Sequence, residues 1–98
     1  MSEPLIPYGQ HYLDEDDIRA VADQMRNSSL TQGPAIDRFA QAVADYVGAR
    51  HAVAVTRGTT ALHLACAAAG IGPGDNVVTS AITFVASANC ARYVGALP

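Results

Sequence analysis

The sequence predicts an α/β domain in which a parallel sheet is flanked by helices. Short apolar runs typical of buried strands alternate with longer segments whose apolar residues recur at helical spacing. Glycine and proline stand where these segments end. The predicted order is helix, helix, strand, helix, strand, helix. Because two strands cannot cover their own faces and edges, we expect an incomplete sheet, the first part of a larger domain.

The composition indicates a globular protein and argues against some classes of binding partner. Half of the 98 residues are hydrophobic, 15% are charged, and the net charge is -3. This acidic balance argues against a nucleic-acid partner, and no apolar run has the length of a membrane span. The N-terminus lacks the order of a signal peptide. Cys66 and Cys90 are predicted to be buried, reduced thiols of a cytoplasmic protein, with a disulfide between them as the alternative.

Two helices are predicted in the first half of the chain. Asp14 suits an N-cap and acidic residues follow it, so the first helix begins there and ends near Arg26. The acidic run could bind a metal, but solvated charge at a helix start explains it and we predict no metal site. Pro34 suits the first turn of the second helix, and Gly48 suits its end. Apolar residues at helical spacing predict one buried face on each helix. These are Ile18, Val21, Ala22 and Met25, then Ile36, Phe39, Ala40, Val43 and Val47.

The segment Ala52 to Gly70 combines a strand pattern with a helix pattern. Residues 52–55 are an apolar run, Gly58 follows, and a helix-like run begins near Thr59. The first amides of a helix lack internal partners and lie at the positive end of its dipole, so this turn suits a phosphate. Gly58 would allow close approach, and the hydroxyls of Thr59 and Thr60 could donate. An ordinary βα turn is the alternative.

The last third of the sequence repeats the pattern of strand and helix. Residues 72–75 read Gly-Pro-Gly-Asp and predict a turn. Residues 77–79 predict a second strand, and a further helix is expected within residues 82–94, closed by Gly95. We divide the chain into an arm with the first helix, residues 1–33, and the start of a large domain, residues 34–98.

Five blocks occur in order: IPYGQHYLDEDDI, LTQGPAIDRFAQAVADYVGARHAVAV, RGTTALHLA, GIGPGDNVVTSAITFVASAN and YVGALP. Together they closely resemble the N-terminal part of the DegT/DnrJ/EryC1/StrS family, pyridoxal phosphate-dependent aminotransferases that act on nucleotide sugars. Within the family they look most like the enzymes of the pseudaminic-acid pathway, which aminate C4 of a UDP-linked 4-keto-6-deoxy amino sugar. The resemblance implies a fold-type-I large domain, truncated here, and a homodimeric parent.

The resemblance also implies roles for individual residues. Gly58, Thr59 and Thr60 match the turn that holds the cofactor phosphate, and Phe84 matches the aromatic residue that stacks on the pyridine ring. Five residues match segments that line the sugar-nucleotide pocket: Tyr8, Ser28, Ser29, Leu30 and Thr31. No catalytic role transfers to His11, His51 or His63, which we expect to be structural.

Three departures from the family pattern limit what this chain is expected to do. Arg57 stands where the family usually has a small residue, so it could clamp a phosphate or crowd the turn. Ser29 stands where a large aromatic residue is usual. All six basic residues are arginine, so the Schiff-base lysine of the family is absent. We therefore expect an inactive fragment of an enzyme that transfers an amino group from an amino acid, expected to be glutamate, to a UDP-sugar.

Two other interpretations remain open from the sequence. The chain could be a non-catalytic truncated product or interaction module that keeps the phosphate turn. It could also be a small Rossmann-like nucleotide-binding module, although the turn has one glycine and lacks the G-x-G-x-x-G spacing.

Overall fold

The computed structural model describes residues 7, 9–27 and 29–98 and contains four helices in these ranges. They are α1, Glu15–Asn27; α2, Pro34–Val47; α3, Gly58–Ala68; and α4, Ala86–Tyr93. All four lie where the sequence predicts helices. The contacts divide the chain into two compact units, with the boundary between Ala52 and Val53.

In the first unit, α1 begins at the predicted cap. One carboxylate oxygen of Asp14 accepts hydrogen bonds from the amides of Asp16 and Asp17, both at 3.0 Å. The amide of Asp14 donates in turn to Oδ2 of Asp17 at 3.2 Å. This reciprocal pair is a capping box, which satisfies amides that would otherwise lack partners at the helix start. The acidic run is therefore used to begin the helix.

The second helix also begins and ends as predicted. Pro34 lies in the first turn of α2, where its missing N–H costs no hydrogen bond. Gly48 follows the helix with φ 69°, and its N–H bonds back to the last turn. Glycine adopts this left-handed conformation without the strain that a Cβ atom would add.

The predicted burial of the apolar faces of these two helices is wrong for this chain. Ile18, Val21 and Met25 are 54–64% exposed, and the larger side chains of the α2 stripe are exposed as well. Ala44 is the one buried residue of α2, and α1 has none. An amphipathic pattern is buried only where another element packs on it.

The two predicted strands are absent from the described residues. Residues 52–55 and 77–79 have no strand assignment, and the pairing found is a parallel bridge between Asn76 and Leu97. The amide of Val77 donates to the carbonyl of Leu97 at 2.8 Å, and the amide of Leu97 donates to the carbonyl of Asp75 at 3.0 Å. A strand requires a ladder of such bonds to a neighbour. The predicted sheet is therefore not confirmed. Asn76 and Leu97 pair in parallel and α4 lies between them in the chain, which is the connectivity of a β-α-β unit.

The second unit is built on the packing of α3 against α4. Its buried residues are small: Cys66, Ala86, Cys90, Ala91 and Ala96. As predicted, a glycine closes each helix, two residues after its last helical residue. Gly70 has φ 74° and Gly95 has φ 83°. After α4 the amide of Ala96 bonds to the carbonyl of Ala91 at 3.0 Å, which turns the chain back along the helix.

Candidate functional site

The predicted phosphate turn forms the beginning of α3. Arg57 is in extended conformation, and Gly58 is the first helical residue. The first backbone bond of the helix runs from the amide of Ala61 to the carbonyl of Arg57 at 3.1 Å. Within the part of the chain that the structure describes, the amides of Gly58, Thr59 and Thr60 have no backbone acceptor, and no side chain caps them. Three amides are therefore available to an anion.

A cleft of about 340 Å³ adjoins this turn. It is lined by Arg57, Thr59, Thr60, His63 and Tyr93. Thr59, Thr60 and His63 are half-buried, whereas Arg57 is exposed. Helical spacing explains why Thr59, Thr60 and His63 line the same cleft, because residues three and four positions apart share a helix face. His63 therefore follows the two threonines along the same wall.

One wall of the cleft comes from α4. The imidazole of His63 and the phenol ring of Tyr93 have centroids 5.3 Å apart and planes inclined at 56°. Such a tilted pair is a favourable arrangement of aromatic rings. The sequence does not predict this contact, because helical spacing places His63 near the turn but Tyr93 reaches it only through tertiary packing.

The electrostatics of the cleft favour an anion. Its lining includes the guanidinium of Arg57 and two hydroxyls, and none of its five residues carries a carboxylate. The positive end of the α3 dipole lies at the same place. A planar guanidinium, together with free amides and hydroxyls, is a donor set suited to a phosphate group.

Phe84 lies in a different cavity of the same unit. This second cavity has a volume of about 460 Å³, and its lining residues run mainly from Thr79 to Ala88 and include Pro98. The ring of Phe84 is 67% exposed. The structure therefore brings Gly58, Thr59 and Thr60 together at the turn but does not place Phe84 in the cleft beside them.

Comparison with known protein families gives a match that covers most of the chain. The sequence profile of the DegT/DnrJ/EryC1/StrS aminotransferase family matches residues 11–98. The chain belongs to this family. The family's enzymes are pyridoxal phosphate-dependent in general and share fold type I.

Three curated proteins match over two thirds of the chain or more. The spore coat polysaccharide biosynthesis protein SpsC of Bacillus subtilis (strain 168) is 42% identical over 95% of this chain and 24% of that protein. The UDP-4-amino-4-deoxy-L-arabinose--oxoglutarate aminotransferase of Shewanella sediminis (strain HAW-EB3) is 38% identical over 100% of this chain and 25% of that protein. The GDP-perosamine synthase of Caulobacter vibrioides (strain ATCC 19089 / CIP 103742 / CB 15) is 54% identical over 67% of this chain and 18% of that protein. The chain thus spans about a quarter or less of the length of these relatives.

The positions that the family resemblance assigns to the sugar pocket lie in the first unit or outside the described residues. Tyr8 and Ser28 lie outside them. Ser29, Leu30 and Thr31 are exposed in the connection between α1 and α2. The carbonyl of Ser29 accepts a hydrogen bond from Nε2 of Gln24 at 3.1 Å, which ties this connection to α1.

Neither a metal centre nor a membrane segment emerges from the described ranges. No group of three or more potential metal-ligating side chains occurs there. None of the four helices is both long enough and apolar enough to cross a membrane. His11 and His51 are exposed and lie in the first unit.

The two cysteines lie in the interface between α3 and α4. Both are buried and free, as the sequence predicts. The thiol of Cys90 donates to the carbonyl of Ser87 at 3.1 Å. A hydrogen bond with the Cys90 thiol, followed by burial, raises the pKa of Cys66. This direction is expected where Cys66 donates, because an ionised thiol loses that bond.

Proposed function

We propose that this chain forms the cofactor-binding N-terminal part of a nucleotide-sugar aminotransferase. In this proposal the turn at Gly58–Thr60, at the start of α3, binds the phosphate of pyridoxal phosphate. The observation that carries the proposal is the open turn at Gly58–Thr60, with three free amides in a cleft that Arg57 lines. Membership of an aminotransferase family supports the choice of phosphate ester.

The residues present fit the phosphate half of this cofactor. A Cβ atom added at Gly58 would meet no atom within 4 Å, so the backbone there is open to a ligand. Thr59 and Thr60 would add hydroxyl donors, and Arg57 would neutralise charge from the side. Phe84 is proposed to stack on the ring, as the family resemblance implies. When bound, pyridoxal phosphate supplies the electron-accepting ring on which amino transfer depends.

For the whole enzyme we propose transfer of an amino group from glutamate to C4 of a UDP-linked 4-keto-6-deoxy sugar. The name of the relative from Shewanella supports amino transfer on a UDP-linked sugar, and the name of the relative from Caulobacter supports a nucleotide-linked sugar as the class of compound. Tyr8 and residues 28–31 are proposed to contact the sugar nucleotide, and the enzyme is proposed to work as a cytoplasmic homodimer. The 98 residues contain no lysine, so by themselves they are proposed to lack transaminase activity.

The cofactor proposal is tested by titrating the isotopically labelled chain with pyridoxal phosphate and, separately, with pyridoxal. We expect amide shifts at Gly58, Thr59 and Thr60 with pyridoxal phosphate only. Arg57→Ser should weaken binding about tenfold, in the range of a lost charged hydrogen bond. Arg50→Ser is the matched control, because Arg50 is an exposed arginine of the other unit.

Three outcomes would contradict the cofactor proposal. Equal amide shifts with pyridoxal would show that the chain does not recognise the phosphate group. Shifts confined to other residues would show that the turn is not the binding site. Tighter binding of a dinucleotide than of pyridoxal phosphate would favour the Rossmann-like alternative.

The reaction is tested separately on the full product of the gene that encodes these residues. That product is incubated with glutamate and the UDP-linked 4-keto sugar, and formation of 2-oxoglutarate and of the amino sugar is measured. Absence of both products would overturn the proposed reaction while leaving the phosphate site to its own test.

A further inference from the structure

The register of α3 against α4 places Cys66 opposite Cys90. His63 contacts Tyr93 across the two helices. Cys66 lies three residues after His63, and Cys90 lies three residues before Tyr93. One turn forward on α3 therefore corresponds to one turn back on α4, which is the register of an antiparallel pair.

The two sulfur atoms are shielded from solvent, and the other buried residues around them are small and apolar. Cys66 is 8% exposed and Cys90 is 5% exposed, and the other buried residues of this unit are alanines. Both cysteines are buried in the unit where α3 packs against α4, so the register places the two thiols on facing sides of this helix pair. A disulfide requires the two sulfur atoms to come to about 2.05 Å from each other. The small side chains around them leave room for the helices to approach that closely.

We propose that Cys66 and Cys90 are a dithiol modification site, which a low-molecular-weight disulfide such as oxidised glutathione converts to an intramolecular disulfide that links α3 to α4. The bond would close a loop that contains the turn at Gly72–Asp75 and the segment with Phe84. The site is independent of the proposed aminotransferase function, since neither sulfur lines the cleft.

The reaction balances in two exchange steps. The thiolate of one cysteine attacks a sulfur of oxidised glutathione, so a mixed disulfide forms and one glutathione thiolate leaves and takes up a proton. The thiolate of the second cysteine then attacks the protein sulfur of the mixed disulfide and expels the second glutathione. The protein loses two protons and two electrons, and one oxidised glutathione becomes two reduced molecules.

Burial makes the first step slow and the second step fast. A buried thiol with a raised pKa contains little thiolate at neutral pH, so attack on glutathione awaits local opening of the helix pair. Once one cysteine has reacted, the other is held beside it at high effective concentration. The mixed disulfide of the folded chain should therefore be short-lived.

The test treats the full chain with oxidised glutathione at slightly alkaline pH and follows intact mass and free thiols. The expected product has lost two hydrogens and both thiols, carries no glutathione, and yields a cross-linked peptide pair on non-reducing digestion. The ratio of cross-link to mixed disulfide should be at least about tenfold higher in the folded chain than in the chain unfolded by guanidinium, where a long flexible loop separates the thiols.

Two matched variants keep the proposal falsifiable. Cys66→Ser and Cys90→Ser should each accumulate a stable adduct with one glutathione, because the resolving thiol is missing. The proposal is overturned if the wild-type chain accumulates adducts with glutathione on both cysteines or links to a second chain instead. It is equally overturned if the folded chain stays unreacted under conditions that cross-link the unfolded chain.

Discussion

The ring of Tyr93 lies 5.3 Å from the ring of His63 and joins the end of α4 to the first turns of α3. His63 is one turn beyond Thr59 and Thr60, so this contact also forms a wall of the cleft at the start of α3. The geometry of the cleft therefore depends on the packing of two helices as well as on the turn itself.

Removing either ring should loosen this helix pair. We expect His63→Ala and Tyr93→Ala to lower the free energy of local opening of α3, with a coupling between them of about 0.5–1.5 kcal/mol, the range for an aromatic pair. Hydrogen exchange of the α3 amides in a double-mutant cycle measures it. Tyr46→Ala is the control, since Tyr46 is 93% exposed. Strictly additive effects of the two substitutions would contradict the prediction.

The cap of α1 should matter more than its other acidic residues. Asp14→Ala removes the acceptor for the amides of Asp16 and Asp17, which should cost about 1 kcal/mol of helix stability. Carbon chemical shifts report the helicity of α1. Asp14→Asn should retain most of it, and Asp23→Ala should have little effect because Asp23 lies after the first turn. An equal loss in the Asp14 and Asp23 alanine variants would show that the cap is not responsible.

Two glycines should respond differently to alanine. At Gly95, φ is 83° and an added Cβ would lie 3.1 Å from Cγ of Pro73, so Gly95→Ala should destabilise the second unit by about 1–2 kcal/mol. At Gly58 an added Cβ meets nothing, and Gly58→Ala should leave the stability of α3 unchanged or slightly higher. Urea denaturation followed by circular dichroism compares them. A greater loss in the Gly58 variant would overturn this ranking.

The stability of the α3–α4 pair should fall at alkaline pH. The hydrogen bond with Cys90 and burial raise the pKa of Cys66. The contribution of the protonated Cys66 thiol to the free energy of unfolding is therefore fully present below the ordinary thiol pKa. It is lost as the pH rises through the raised pKa. We expect lower resistance to urea at about pH 10 than at about pH 7.5, with a matching rise in thiolate absorbance. In Cys66→Ser the fall should be smaller; an equal fall would assign it to other groups.

The local structure of this chain could be read from its sequence because the responsible interactions span a few residues. Asp14 bonds to amides two and three positions ahead, and Pro34, Gly48, Gly70 and Gly95 act within a single turn. The start of α3 at the turn that contains Gly58 was likewise predicted from residues close together in the sequence. These interactions are formed by neighbouring residues and do not depend on distant parts of the chain.

Only the tertiary structure decided which surfaces are buried and which residues meet. Residues 52–55 and 77–79 have the composition of strands, but a strand is completed by hydrogen bonds to a neighbouring segment, and Leu97 supplies a single bridge. The apolar stripes of α1 and α2 are exposed because burial requires a packed partner. The contact of His63 with Tyr93 and the proposed pairing of Cys66 with Cys90 depend on the register of α3 against α4, which packing sets and local spacing does not.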